Sequence, residues 1–309
     1  MIPQDLNHRY LENHFINFIM IIGFLVRMKR RFCLSILIIG AGLNLCAQTL
    51  EGVVVDSKSK LPIQYAHIGI SGKNAGTVSK ETGEFSLNLS EYLSADTIVF
   101  SSIGYETLYL SDRNLQSQSG VVIELDPVVY QIAPVEIVGT RLDVFILGRS
   151  ENNKTTTGHT GKSNYGVGKE WGLKIEYLGS PYYIKEVNFH TRFNTVDSVL
   201  FRVNVYQISD SGLPEKSLLK KEAFTKSYRK DKWISTNIID RALLIEEDII
   251  VTFETLRIWY RNRGKNWLFF SHGEGYEIGT TYSRASSHDH WRINQAGPIA
   301  LYIKGIYKE

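Results

Sequence analysis

Residues 76–85 read GTVSKETGEF, and the strand pattern continues through Ser86, Leu87 and Asn88. Two extended runs are separated by Lys80-Glu81-Thr82-Gly83, a polar tetrad ending in glycine. Such a tetrad between strand patterns predicts a tight hairpin, with Gly83 supplying the positive φ that a side chain resists. Beyond it, Phe85 and Leu87 alternate with Glu84, Ser86 and Asn88. That period of two predicts a half-buried strand with the apolar pair facing inward. Residues 101–107, SSIGYET, raise the same question. There Gly104 would permit a bend or close packing between strands, and Tyr105 can bury its ring while its hydroxyl stays wet.

The flanking sequence repeats the device. Leu50–Asp56, Gln64–Ser71, Gly76–Ser79, Glu84–Leu89, Asp96–Ser101, Glu106–Leu110 and Val121–Leu125 are short β-prone runs bounded by Gly, Asn, Ser or Lys. Their close, regular spacing predicts an antiparallel sandwich, and no segment here sustains a helical period. The scaffold accounts for every residue of both glycine segments, and no nucleophile, carboxylate pair or metal cluster emerges from them.

Gly52-Val53-Val54-Val55-Asp56, Pro62, Ala66-His67-Ile68, GTVSKETGEFSL and VFSSIGYET together resemble the carboxypeptidase-regulatory-like domain. The resemblance spans about residues 49–126. It implies a transthyretin-like β-sandwich of the kind found beside metallocarboxypeptidases and at the N-termini of TonB-dependent receptors of Bacteroidetes. It also implies no catalytic residues, because this domain accompanies peptidases without being one. The chain departs from the family at Ser79-Lys80, where Thr-Asp is usual, which argues against a cation or an aspartate cap at that turn. Pro134–Arg141, PVEIVGTR, is similar to the segment ahead of the plug in the same receptors. Only 168 residues follow Arg141. A 22-stranded barrel needs about 220 in strands alone, so the expectation is that these residues share the front end of such receptors without forming the pore.

The N-terminal 47 residues read as a targeting segment. Lys29-Arg30-Arg31, an apolar run from Phe32 to Leu45 and the small Ala47 follow the order of a secretory signal, with cleavage expected between Ala47 and Gln48. A second apolar run, Phe15–Val26, precedes the basic cluster, which points to Met28 as the true start. A membrane hairpin and a lipid anchor on Cys46 are the alternatives. Both cysteines, Cys33 and Cys46, lie in this segment, so no disulfide or thiolate site is expected after it. The segment holds five basic and two acidic residues, leaving 30 of each sign in residues 48–309. A neutral mature chain has no global electrostatic reason to bind nucleic acid.

Residues 127–167 read as a linker, with ENNKTTTGHTGK (151–162) an exposed polar loop. Residues 168–309 are β-rich again. In Ser198–Tyr206, SVLFRVNVY, Val199, Phe201, Val203 and Val205 share one face, and Ile249, Val251 and Phe253 repeat the pattern in Asp248–Glu254. Tyr183–Phe193, Trp233–Ile239, Trp267–Phe270 and Ile299–Ile306 are further strands. About eight or nine strands predict a jelly-roll-like sandwich. The expected architecture is thus all-β: a signal segment (1–47), a transthyretin-like sandwich (48–126), the linker and a second sandwich (168–309).

Chemistry-bearing motifs are scarce. No HExxH, GxSxG or phosphate loop occurs. His288-Asp289-His290, with His272 or Glu274, has the donors for zinc, but a short motif after Arg284-Ala285-Ser286-Ser287 reads first as a loop. His67 reads as a half-buried packing residue. All five tryptophans, Trp171, Trp233, Trp259, Trp267 and Trp291, lie in the second sandwich. Trp259, Tyr260, Arg261 and Arg263, next to the turn at Gly264, form the candidate binding loop. Rings and guanidiniums there suit a sugar or an acidic partner. The expectation is a noncatalytic exported envelope protein, in the periplasm or on the outer-membrane surface. It binds or assembles with an envelope protein, or serves as a carbohydrate-binding accessory. No cofactor or metal is implied, and membrane contact is expected only through the N-terminal segment if that is retained.

Overall fold

The alternation in Glu84–Asn88 is realised residue by residue: Phe85 and Leu87 are buried, while Glu84, Ser86 and Asn88 are exposed. A computed structural model describes residues 49–89, 96–111, 119–128, 143–151, 156–160, 166–261, 266–273, 281–294 and 297–307. The candidate signal segment and Arg263 lie outside these. Among the described residues there is no α-helix. The expected all-β class holds, and the sheets curl into a sandwich-like architecture.

The first seven strands are β1 (Thr49–Asp56), β2 (His67–Ile70), β3 (Gly76–Val78), β4 (Glu84–Asn88), β5 (Ile98–Ser101), β6 (Leu108–Leu110) and β7 (Ser119–Leu125). Each falls on a run expected from the sequence. They form two sheets, β4-β1-β7 and β3-β2-β5-β6, enclosing Leu50, Val54, Ile68, Phe85, Leu87, Phe100 and Leu125. Phe85 meets Phe100 edge-on across the two layers, with centroids 5.6 Å apart. One pairing, β1 with β7, is parallel, so the sandwich is not purely antiparallel.

The Lys80–Gly83 turn corrects one expectation. Its flanking strands β3 and β4 belong to different sheets, so the turn carries the chain between layers instead of closing a hairpin. Gly83 does have positive φ, 75°, and its carbonyl accepts from Val54 N at 2.9 Å. A Cβ there would stand 2.6 Å from the Val54 carbonyl oxygen. Ser79, at the position of the family's threonine, is buried. Its hydroxyl accepts from Ala66 N at 2.8 Å and donates to the Ile63 carbonyl at 2.9 Å, so a side-chain tie survives without the aspartate. Gly104 also has positive φ, 91°, but the nearest atom to an added Cβ is 3.7 Å away. Conformation, not close packing, selects glycine there.

The remaining strands are β8 (Val144–Gly148), β9 (Thr156–Thr160), β10 (Glu170–Ile175), β11 (Tyr182–Asn194), β12 (Ser198–Ile208), β13 (Pro214–Ser217), β14 (Phe224–Tyr228), β15 (Trp233–Asn237), β16 (Leu244–Ile245), β17 (Ile249–Trp259), β18 (Trp267–Ser271), β19 (Thr281–Arg284), β20 (Arg292–Asn294) and β21 (Leu301–Tyr307). One sheet runs β13-β12-β17-β10-β19-β20 with β14 also on β12; the other runs β8-β21-β11-β18-β9 with β15 and β16 on β11. Between them lies a core of aromatic and β-branched residues, centred on Phe189 stacked on Phe253 at 4.1 Å. Val199, Phe201, Val203 and Val205 all point into it, as their alternation requires.

Two differences from the sequence reading matter. Within the stretch expected to be a linker, β8 pairs with β21 and β9 with β18, so 144–148 and 156–160 are strands of the second sandwich. Thr156–Thr160 looked like a loop because a short Thr-Gly-His run carries no apolar period. Second, β17 continues to Trp259, so that tryptophan ends a strand instead of sitting in a loop. Residues 48–309 form one compact unit in which the two sandwiches are packed together.

Candidate functional site

One face of the sheet built on β12 and β17 both packs against the first sandwich and carries the candidate site. On β12 the residues opposite the core are Ser198, Leu200, Arg202, Asn204 and Tyr206. In register, Arg202 stands beside Glu254 on β17, Glu254 beside Glu170 on β10, and Glu170 beside Arg284 on β19. Directly opposite residues share a face. Four charged side chains therefore form a row, Arg-Glu-Glu-Arg, across four strands. Isolated buried charges are very costly, so such a row needs close pairing. Arg202 Nη1 lies 3.1 Å from Glu254 and its Nε 2.7 Å from Glu222; Arg284 lies 2.6 Å from Glu170. Glu170 also accepts from Asn204, Tyr206 and Thr252.

The first sandwich covers one end of this row. His67 Nε2, on β2, is 2.8 Å from Glu254 and 2.6 Å from Arg202 Nη1, and the Tyr65 carbonyl accepts from Arg202 Nη2. With its proton, Nε2 donates to the carboxylate; without it, Nε2 accepts from the guanidinium. Burial pushes the Glu254 carboxyl up, but the charges of His67 and Arg202 more than offset this and hold it down to about 2. His67 is thus a buried bridge between sandwiches, not a half-buried packing residue. Tyr65 and Val78 close the contact against Leu256, Leu200 and Phe224.

The His288-Asp289-His290 segment lies on this interface too. It is a turn, and His288 has positive φ, 65°. The Ser287 carbonyl oxygen sits where Cβ atoms on Gly69 and Gly76 would be, 2.3 and 2.5 Å away, and the His288 carbonyl accepts from Gly72 N at 2.9 Å. Those glycines let the turn lie directly on the first sandwich. Burial, with the charges of His67 and Arg284, pushes the His288 imidazole down to about 3, offset in part by its bond to the His67 backbone. Asp289 is paired with Arg292 at 2.7 Å. His272 is buried at a bridge to Ile299, and Glu274 lies outside the described residues.

Farther along β17 the same face is open to solvent. Arg257 and Lys226 flank Leu200 from opposite sides, and Trp259 and Tyr228 flank Ser198 one step on. Lys226 Nζ is 4.5 Å and Arg257 Cζ 4.7 Å from the Trp259 ring centroid. Both distances suit cation–π attraction. Arg257 also reaches Glu81 at 3.4 Å, beside a groove of about 350 Å³ that runs between the sandwiches past Tyr65, Lys80, Glu84 and Ile258.

The structure brings the expected residues together only in part. Trp259 is half-buried under its two cations. Tyr260 packs its ring against the second core, and burial raises its phenol. Arg261 lies 3.9 Å from Asp197, and Asn266 clamps its backbone at 3.0 and 3.4 Å. Of the other tryptophans, Trp171 is core, Trp233 packs on His190 and Tyr302, Trp267 on Phe193, and Trp291 on Tyr206. Lys226 and Arg257 escaped the sequence reading. Their position beside Trp259 depends on strand register, although Arg257 at i−2 on the same strand was a usable signal.

The CarboxypepD_reg-like domain family matches residues 50–132. No curated protein matches the chain. Two solved structures of infectious bursal disease virus, of the Gx and Gt strains, align with 9% and 11% identity over 84% of this chain, each at a TM-score of 0.25. The chain spans about three fifths of the length of those chains, and at that score the likeness carries no argument. What the match does identify is the first sandwich: residues 50–132 are a carboxypeptidase-regulatory-like domain.

Proposed function

We propose that this chain is an exported, noncatalytic protein of the cell envelope that binds or assembles with another envelope component through the strand end at Trp259. The observation that carries this reading is the Lys226–Trp259–Arg257 stack, two cations held on one indole beside an exposed Tyr228. Trp, Tyr and Arg are the side chains that most often anchor interfaces. The basic-apolar-small order of residues 29–47 supports export. The location, in the periplasm or on the outer-membrane surface, and a relation to the front end of TonB-dependent receptors belong to the same proposal.

A carbohydrate-binding role is the second reading. Tyr228 favours it, since its ring is 58% exposed on the same face. Trp259 supports it less, because its ring already carries two cations. A pull-down from envelope extract and a glycan array, each run with the parent and with Trp259→Ala, Arg261→Ala, separate the two. Loss of a protein partner supports assembly, and loss of a glycan signal supports the lectin. Binding unchanged in both assays overturns the assignment of this surface.

A further inference from the structure

Two turns and two strand ends meet at the end of the second sandwich where Trp259 lies. Asp197 N donates to the Trp259 carbonyl at 2.9 Å, Arg229 N to the Asp197 carbonyl at 3.2 Å and Lys230 N to the Asn194 carbonyl at 3.1 Å. Thr195 N donates to the Trp267 carbonyl at 2.9 Å, and Asn194 Nδ2 to the Tyr228 carbonyl at 2.9 Å. The turns after β11 and β14 are thereby fastened to each other and to the adjoining ends of β17 and β18 as one platform.

The platform is strongly one-signed. Arg229, Lys230 and Arg261 stand in or beside its turns, Lys226 and Arg257 flank it on the outer face of the β12 sheet, and Arg192 and Lys232 flank it on the β11 sheet; its carboxylates are Asp197 and Asp231. Asp231 is occupied in capping its own turn, accepting from Tyr228 N and, at 3.3 Å, from the Ser227 hydroxyl. Lys226, Arg229 and Lys230 have no carboxylate partner among the described residues. Residues 48–309 carry equal numbers of basic and acidic side chains, so this excess is a matter of placement, not composition. Exposed rings flank it, Tyr228 on β14 and Phe193 on β11, each with one cation at its ring. Phe193 is 43% and Tyr228 58% exposed; Phe193 meets Trp267 and Phe269 edge-on, and Arg192 lies 5.8 Å over it.

We infer that this end docks on an anionic phospholipid bilayer surface, which rests on the reading that it is the molecule's binding surface. Lysine and arginine stems reach phosphates while aromatic rings settle at headgroup depth. An exposed phenylalanine at a strand end, with an arginine over its ring, suits that boundary better than it suits water or a sugar. This membrane contact is separate from the N-terminal segment.

Tryptophan emission tests it. All five tryptophans lie at 171 or beyond, so the signal reports the second sandwich and not the apolar residues 1–47. The whole chain is titrated with phosphatidylcholine vesicles with and without phosphatidylglycerol, the acyl chains brominated as quenchers. Quenching is expected only with the anionic vesicles, weakening as salt rises. Lys226→Glu, Arg229→Glu should raise the half-maximal lipid roughly tenfold or more. Phe193→Ser should reduce the quenching, and Lys58→Glu, on the first sandwich, should match the parent. Soluble glycerophosphate should not compete at matched phosphate, because it offers no surface. Unfolding midpoints of the variants confirm that they fold. Absent or equal quenching by neutral vesicles and anionic ones, or parent-like binding by the charge-reversed variant, overturns the proposal. If vesicles fail while Trp259→Ala still abolishes partner capture, the lipid assignment falls and the proposed function stands. If vesicle binding holds but Trp259→Ala changes neither capture nor glycan binding, the reverse is true.

Discussion

The face of the sheet formed by β12 and β17 carries charge in two ways, a few residues apart. At Arg202 and Glu254 it is sealed beneath the first sandwich, and each charge has a partner of opposite sign at bonding distance. At Lys226, Arg257 and Trp259 it is open: both cations lie on an indole, and of the two only Arg257 also reaches a carboxylate, Glu81 at 3.4 Å. The sealed end needs neutrality because charge in a low dielectric must be compensated; the open end can hold an excess because water screens it. The difference separates structural charge from charge available to a ligand.

The largest expected effect follows from breaking the sealed end. Arg202→Met leaves Glu254 and Glu222 without their guanidinium and should destabilise the chain by about 3–5 kcal/mol in urea denaturation. Adding Glu254→Leu should recover part of that, since one carboxylate is no longer stranded. A loss no larger than that of an exposed-charge variant would mean the row is not sealed.

Acid should act next, and in two stages. His288 is held down to about 3, so on acidification the unfolded chain binds a proton first, and stability is lost as pH falls below about 6.5 toward 3. Glu254 is held down to about 2, so its contribution is present above about 4.5 and is lost as pH falls toward 2. His288→Asn should flatten the upper stage and Glu254→Gln the lower one in denaturation curves taken across pH. Parallel curves for parent and variants would contradict both assignments.

Gly83→Ala sharpens the comparison from the other side. A side chain at φ 75° is strained and meets the Val54 carbonyl, so a loss of about 1–3 kcal/mol is expected in the first sandwich. Because that sandwich caps the charge row, the second should become less stable with it. Separate transitions, with the second sandwich unmoved, would show that the row does not couple them. The smallest effect belongs to the open end. Lys226→Met should change the unfolding free energy by about 0.5–1 kcal/mol or less, in keeping with an exposed cation–π contact. A larger loss would make the open end structural.

Much of the scaffold was legible in the chain. Seven expected strands of the first sandwich, the inward pair Phe85 and Leu87, and positive φ at Gly83 were all readable, because turn chemistry and a period of two are local signals. The core side of β12 was equally plain. Its other side was not. Arg202 and Asn204 on a strand read by default as a solvated face, and Thr252 and Glu254 read the same way. Strand β9 was missed because Thr156–Thr160 carries no apolar period, and β8, although Val144–Gly148 is an apolar run, because it stands alone in a stretch that reads as a linker. The candidate site was half visible: Trp259 and Arg261 stood out as types, while Lys226 joined them only through register across β12.

What the sequence determined by itself was therefore the class of the fold, most strand positions, and which strand faces avoid water. Each follows from interactions among residues close along the chain. What only the tertiary structure decided was the fate of the polar faces. Whether Arg202 is sealed and Lys226 open depends on where residues more than a hundred positions earlier, His67 and Tyr65, come to rest. Burial of charge is favourable only when partners from distant strands arrive together, and no local pattern encodes that meeting.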